Sequence, residues 1–273
     1  MKSLSPITDV APTGRAEIGI IGGTGVYDDS LLKDRSELTL ATPFGHPSDR
    51  IVLGTLAGRR IAFINRHGPR HSIPPHMVNS RANIYALKKL GVTRILATGA
   101  VGSLKGAYMP GDVVLADQFV DFTKTRQYSF FNRDGVYHVS LADPFCQELR
   151  MALERSAVAL KMDVTCTGTY VCIEGPRFST RAESRMYRNF GDIIGMTLVP
   201  ECQLAREAEL CYASINAITD YDVWAENPVS MEEISANMKK SAWKVKRLIT
   251  DVVSNIPRVR GCECGRALKN AAA

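Results

Sequence analysis

The chain contains no apolar run near the roughly 20 residues that a membrane span needs. Its first residues, Met1 to Thr13, are polar and contain proline, without the apolar stretch of a signal peptide. A cytoplasmic setting is therefore expected. There is no internal repeat and no low-complexity run. No Gly-Lys-Ser/Thr occurs, which excludes a Walker A loop. Neither H-E-x-x-H nor a paired C-x-x-C is present, and no histidine follows His138. Cys262 and Cys264 thus have no nearby histidine to complete a zinc set, and no metal is expected. A strong charge of either sign is also missing: 34 Lys and Arg face 28 Asp and Glu, a net +6. So mild a balance fits solubility or anionic small substrates as well as it fits nucleic acid. Arg177, Arg181, Arg185 and Arg188 form the one basic stripe at helical spacing. Acidic and polar residues interleave it and no aromatic ladder accompanies it. It reads as a solvated helix face, and no nucleic-acid partner is expected.

What is present is ordinary globular material: 273 residues, 45% hydrophobic and 23% charged. Residues 17–22 read as a buried strand. Apolar runs at 51–56 and 61–65 flank Ala57-Gly58-Arg59-Arg60 and predict a hairpin. The stretch 76–90 has helical periodicity and stops at Gly91. Further strands are expected at 94–97, 113–119 and 165–173, and helices at 147–161 and 231–255. The last helix carries Ile234, Met238, Val245, Leu248, Ile249 and Val252 on one stripe, and Pro257 ends it. Strands alternating with helices predict an α/β layered domain. It is placed at 17–257, between a flexible N-terminal segment, 1–16, and a polar C-terminal tail, 258–273, expected to be at most partly ordered.

Candidate chemistry gathers at strand ends, where α/β sites form. Gly22-Gly23-Thr24-Gly25 follows the first strand, and its small residues let backbone N–H groups approach an anion. It is not a dinucleotide fingerprint, since the pattern from Gly23 ends in Asp28. Arg66-His67-Gly68 follows the hairpin, with His71 four residues on. Arg66 offers a planar fork for phosphate oxygens and His67 a second donor. Residues 97–103 form a second small-residue turn. Glu174-Gly175-Pro176-Arg177-Phe178-Ser179 sets glycine, proline and an aromatic between strand and helix. The apolar run from Cys211 ends in Asp220-Tyr221-Asp222. Two carboxylates at strand spacing share a face, and burial there forces them to find a partner or hold a proton. Either state suits an adenine. The plain alternative is a solvated turn with Asp as a helix cap.

Taken in order, Ile20-Ile21-Gly22-Gly23-Thr24-Gly25, Thr42-Pro43-Phe44-Gly45, Arg66-His67-Gly68, Gly102-Ser103-Leu104, the 174–179 segment, Met196-Thr197-x-Val199-Pro200-Glu201 and Thr219-Asp220-Tyr221-Asp222 resemble the trimeric purine nucleoside phosphorylases. Within them the match is narrower, to the methylthioadenosine phosphorylases, and it runs from Glu17 to Pro257. The resemblance implies a single α/β domain with a central mixed sheet, partly closed into a barrel and flanked by helices. It implies reversible phosphorolysis of 5′-methylthioadenosine to adenine and 5-methylthioribose 1-phosphate. Inorganic phosphate is the co-substrate, and neither a metal nor an organic cofactor is used.

Carried onto this sequence, the resemblance gives phosphate to Thr24, Arg66, His67, the Ala100 amide and Thr197. It places ribose over Met196 and the base against Phe178, Ser179, Asp220 and Asp222. The 5′-methylthio group would meet His71, and His138 donated by a neighbouring subunit of a trimer or a dimer of trimers. Gly99 departs from the pattern, because some relatives carry there a hydroxyl that touches phosphate. Asp220 is expected to donate a proton to the departing purine at N7. The resemblance also implies a disulfide between Cys146 and Cys211, and Cys262-Glu263-Cys264 could close a small strained ring. A phosphorylase of 6-oxopurine nucleosides, adenosine as a further substrate, and a nucleotide-binding module without chemistry remain open on the residues alone.

Overall fold

The computed structural model describes residue 7 and residues 13–23, 31–132, 135–225 and 229–273. Ten strands in this part form one mixed sheet: β1 (Ile18–Gly22), β2 (Lys33–Leu38), β3 (Ile51–Leu56), β4 (Arg59–Asn65), β5 (Arg94–Ser103), β6 (Val113–Leu115), β7 (Gln118–Phe122), β8 (Thr169–Ile173), β9 (Ile193–Gly195) and β10 (Cys211–Asp220). The path runs β2-β3-β4-β1-β5-β9-β8-β7, and β10 pairs with β5 and β6. β5 is the hub. It lies parallel to β1 and β10 and antiparallel to β9, whose contact falls at Gly102 and Ser103. The path does not close on itself. The partial barrel that the resemblance implied is an open sheet branching at β5.

Side-chain alternation along the strands feeds two cores. Ile18 and Ile20 of β1 pack with α2 (Gln147–Ala159) and α5 (Met231–Asn255), whereas Ile21 packs on the face of α1 (Ser80–Lys89) and α4 (Glu201–Glu207). α5 buries the stripe that its periodicity announces, with Val245, Leu248, Ile249 and Val252 at most 1% exposed. Each such side chain contributes on the order of 1.5–3 kcal/mol by leaving water. Asn79 caps α1 and Ser230 caps α5 through their side chains. No helix among the described residues is long and apolar enough to cross a membrane.

Two readings of the sequence change. Residues 97–103 are not a turn but the second half of β5, ten residues long. Small residues occur there because the strand is crowded on both sides. A Cβ on Gly99 would stand 3.0 Å from Asn216 Oδ1, and one on Gly102 2.7 Å from Asp220 Oδ1. The C-terminal tail is docked rather than loose. Cys264 and Ala271 are buried, and Tyr137 bridges Ala272. Cys211 Sγ lies 3.3 Å from Cys262 Sγ, with the sulfurs of Cys146 and Cys264 beside them.

Candidate active site

A cavity of about 450 Å³ opens where the C-terminal ends of the strands converge. The segment after β4 sends in His67 and His71, and β5 presents Ala100, Val101 and Gly102. The loops after β8 and β9 supply Phe178 and Ser179, then Met196 and Thr197. β10 ends in Thr219, Asp220 and, just beyond, Asp222. Nine of the expected site residues therefore meet in one place. Arg66 lies just behind them, and His138 is exposed and does not line this cavity. Thr24 falls outside the described residues.

Asp220 is buried at the strand end. Its Oδ1 accepts from the Asp222 amide at 2.8 Å, and Oδ2 lies 2.7 Å from Thr219 Oγ1. That hydroxyl also reaches the Val101 carbonyl at 3.2 Å. One hydroxyl proton serves one acceptor. With the proton on Val101, the Thr219–Asp220 contact requires a proton on Asp220. Burial pushes the Asp220 carboxyl up, with the Thr219 hydroxyl and Asp222 amide opposing. Asp222 turns back into the cavity through a positive φ of 50°. Simple strand alternation is therefore not what brings the two carboxylates together. Burial raises Asp222 as well, the nearby Ser184 opposes, and the charge on Asp220 adds to the rise. Asp222 Oδ2 and Ser179 Oγ are buried with no hydrogen-bond partner among the described residues. Such orphaned atoms in a cavity wall ask for a ligand.

Arg66 is 2% exposed, and Glu201 holds it by two bonds, Nε–Oε2 at 2.9 Å and Nη2–Oε1 at 2.8 Å. Nη1 donates to the Thr98 carbonyl at 2.7 Å, and Tyr212 donates to Glu201 Oε1 at 2.6 Å. Three of the five guanidinium N–H groups are thus engaged. The fork that the sequence reading assigned to phosphate grips Glu201, and Nη1 borders Gly23. A Cβ there would lie 3.1 Å from Arg66 Nη1.

His67 Nδ1 lies 2.9 Å from the Ile73 carbonyl, which can only accept. Burial, then the charge of Arg66, lowers the ring to about 4. Near neutral pH the ring is uncharged, with its proton on Nδ1 and a lone pair on Nε2. It faces the cavity as an acceptor, not the donor expected. His71 stacks on it with ring centroids 4.3 Å apart, in backbone of positive φ.

The loop after β9 is positioned by Arg126, a buried residue of the 122–128 loop. Its Nη1 donates to the Val199 carbonyl at 2.9 Å, Nη2 to the Met196 carbonyl at 3.0 Å, and Nε to Glu174 Oε1 at 2.7 Å. One side chain thereby fixes the loops that carry Phe178 and Met196 relative to each other.

A profile of the phosphorylase superfamily matches residues 17–254. The chain belongs to this superfamily. It is 56% identical to the S-methyl-5′-thioadenosine phosphorylase of Nitrosopumilus maritimus over 93% of this chain and 97% of the other. Identity to the protein of the same name from Thermofilum pendens is also 56%, over 94% and 98%. A crystal structure of methylthioadenosine phosphorylase from an Antarctic soil metagenomic library superposes with a TM-score of 0.89 at 44% identity, covering 96% of this chain and 93% of that one. A mutant adenosine/methylthioadenosine phosphorylase of Schistosoma mansoni in complex with methylthioadenosine gives 0.87 at 40% identity, over 93% and 96%. Sequence reasoning about this phosphorylase left Glu201, Arg126 and Thr219 without roles. Glu201 closes a quoted motif, yet its partner is 135 residues away and no spacing rule joins them.

Proposed function

We propose that this phosphorylase cleaves 5′-methylthioadenosine reversibly with inorganic phosphate, giving adenine and 5-methylthioribose 1-phosphate. The observation that carries the reading is the buried pair Asp220 and Asp222, one set up to hold a proton and the other with an unpartnered oxygen. A neutral Asp220 gives its proton to purine N7, and Asp222 Oδ2 accepts from the exocyclic amine. A 6-oxopurine would bring an acceptor to that oxygen and leave both unpaired.

Phosphate oxygen attacks C1′ as the bond to N9 breaks and its electron pair stays on adenine. The proton from Asp220 makes the leaving base neutral. Hydrogen phosphate loses a proton in becoming the sugar phosphate, so the balance closes without a cofactor. Thr197, the Ala100 amide, Thr24 and the free donors of Arg66 are the proposed phosphate cradle. His67 Nε2 accepts the P–OH hydrogen. Met196 lies under the ribose, Phe178 and Ser179 flank the base, and His71 meets the 5′ group. The described lining holds no Lys or Arg, and Pro74 and Pro75 beside His71 suit an apolar 5′ substituent better than a phosphate.

We further infer a homotrimer, alone or doubled, in which His138 completes a neighbour's site. Its exposure, outside the lining of its own cavity, supports this. The test is adenine release from methylthioadenosine with and without phosphate, beside sedimentation of the active species. Release in phosphate-free buffer, or a preference for inosine, contradicts the reading.

A further inference from the structure

The basic stripe that reads as a solvated helix face has a second role. Arg181 opens α3 (Arg181–Tyr187) and Arg188 caps its end. Arg177, in the loop before the helix, pairs with Glu183 at 2.7 Å. Arg181 and Arg188 reach instead to the segment that follows Asp222. Arg181 Nη1 donates to the Val223 carbonyl at 3.2 Å and to the Ala225 carbonyl at 3.0 Å. The Arg188 guanidinium lies over Trp224, with Cζ 4.2 Å from the ring centroid, and its Nε donates to the Leu104 carbonyl at 3.0 Å. Trp224 Nε1 donates to the Ser103 carbonyl at 2.7 Å. None of Arg181, Arg188 and Trp224 lines the cavity. We propose that these three are positioning residues that hold Asp222 in place and thereby set the preference for a 6-amino base, a role that rests on the reading of Asp222 as acceptor from the exocyclic amine.

Asp222 needs such support. The ladder of β10 with β5 ends at Asp220, and Asp222 stands two residues on with φ at 50°. Backbone in that region persists when its surroundings fix it. On the near side, the Asp222 amide donates to Asp220 Oδ1 at 2.8 Å. On the far side, residues 223–225 are held from α3 and from the end of β5. Trp224 is gripped twice: its N–H bonds the last residue of β5, and its face carries Arg188, which bonds the next carbonyl along. A cation over an indole is attracted by the ring, and a planar guanidinium stacks while an in-plane N–H stays free to donate. Lysine brings the charge without the plane.

The effect on selectivity follows from geometry. Amine and carbonyl at position 6 are told apart by an acceptor at a fixed place. A hydrogen bond is lost when its partners move apart by more than about 0.5 Å. The proposed phosphate cradle lies on other segments, so a slack Asp222 turn should weaken the base and spare phosphate.

The test is a cycle of variants of the full chain. Calorimetry gives Kd for adenine. Assays give KM for phosphate and the preference for methylthioadenosine over its 6-oxo analogue. Arg188→Met should raise the adenine Kd about tenfold, the order expected of coupled neighbours, and lower the preference by a similar factor. The phosphate KM should not change. Arg188→Lys should recover part of the loss. Arg185→Met, on the same stripe but with none of these contacts, should match wild type. In an Asp222→Ala background, Arg188→Met should cost less than about twofold more, because its effect runs through Asp222. Trp224→Phe, which keeps the ring and loses the N–H, should fall between wild type and Arg188→Met. The proposal is overturned if Arg188→Met leaves adenine affinity and base preference unchanged. It is equally overturned if the loss is the same with and without Asp222, since Arg188 would then act on the fold at large. If Asp222→Ala itself keeps wild-type affinity and preference, the reading of Asp222 fails, and the clamp's role in selectivity fails with it.

Discussion

Burial decides what the single side chains can do. Asp220→Asn keeps the shape beside Thr219 and can still hydrogen-bond N7, but has no proton to give readily. Turnover on methylthioadenosine should fall by about 10²–10⁴, the range for a lost general acid. An Asn variant with full kcat removes Asp220 from that role. Arg66→Ala is expected to do more than weaken phosphate. It leaves Glu201 charged at 0% exposure, which should cost about 3–5 kcal/mol of stability in urea or thermal melts. Glu201→Gln with wild-type stability would contradict the reading of that pair as structural. His67 provides a pH signature. Its folded value of about 4 lies below the ordinary 6.5, so the unfolded chain binds the proton first. Its contribution to stability is complete above about 6.5 and is lost as pH falls towards 4. Melting temperature against pH should show a drop in that window, smaller in His67→Gln.

At the level of elements, the end of β5 is a spacer for the acid on β10. Gly102→Ala would put a methyl 2.7 Å from Asp220 Oδ1, within a strand held on both sides. Overpacking of this kind costs roughly 1–3 kcal/mol. The expected outcome is a folded protein with kcat reduced tenfold or more, checked by circular dichroism beside the assay. An Ala variant with unchanged kcat argues against a fixed Asp220. The long apolar or periodic elements, β1, β10 and α5, were legible because each carries its own burial pattern. β2 was not, since five of its six residues are exposed and its pairing with β3 makes it a strand. β9 has three residues and α4 seven, too few to establish a period. α3 (Arg181–Tyr187) did carry a signal, the Thr180–Glu183 capping box, beneath the basic stripe that drew attention to the same residues. The carboxylates of the site could be read because they end an apolar strand. Arg66 with Glu201 and Arg126 with Glu174 are meetings across the fold that no local pattern encodes.

Across the whole molecule, two helical layers cover a branched sheet and leave one end open, where the ends of β5 and β10 meet the segments after β4, β8 and β9. Residues from all five places line one cavity, yet His138 of the same chain is not among them. If a neighbour supplies it, His138→Ala should raise KM for methylthioadenosine several-fold with little change in kcat, while sedimentation still reports the assembly. A fully active species of 30.0 kDa would contradict the shared site. The central claim concerns the chemistry and has a direct test. Purified protein is mixed with methylthioadenosine, with and without inorganic phosphate, and free adenine and sugar phosphate are measured together. The account predicts adenine and 5-methylthioribose 1-phosphate in equal amounts, only when phosphate is present. Adenine formed at full rate without phosphate, with free methylthioribose beside it, would contradict it.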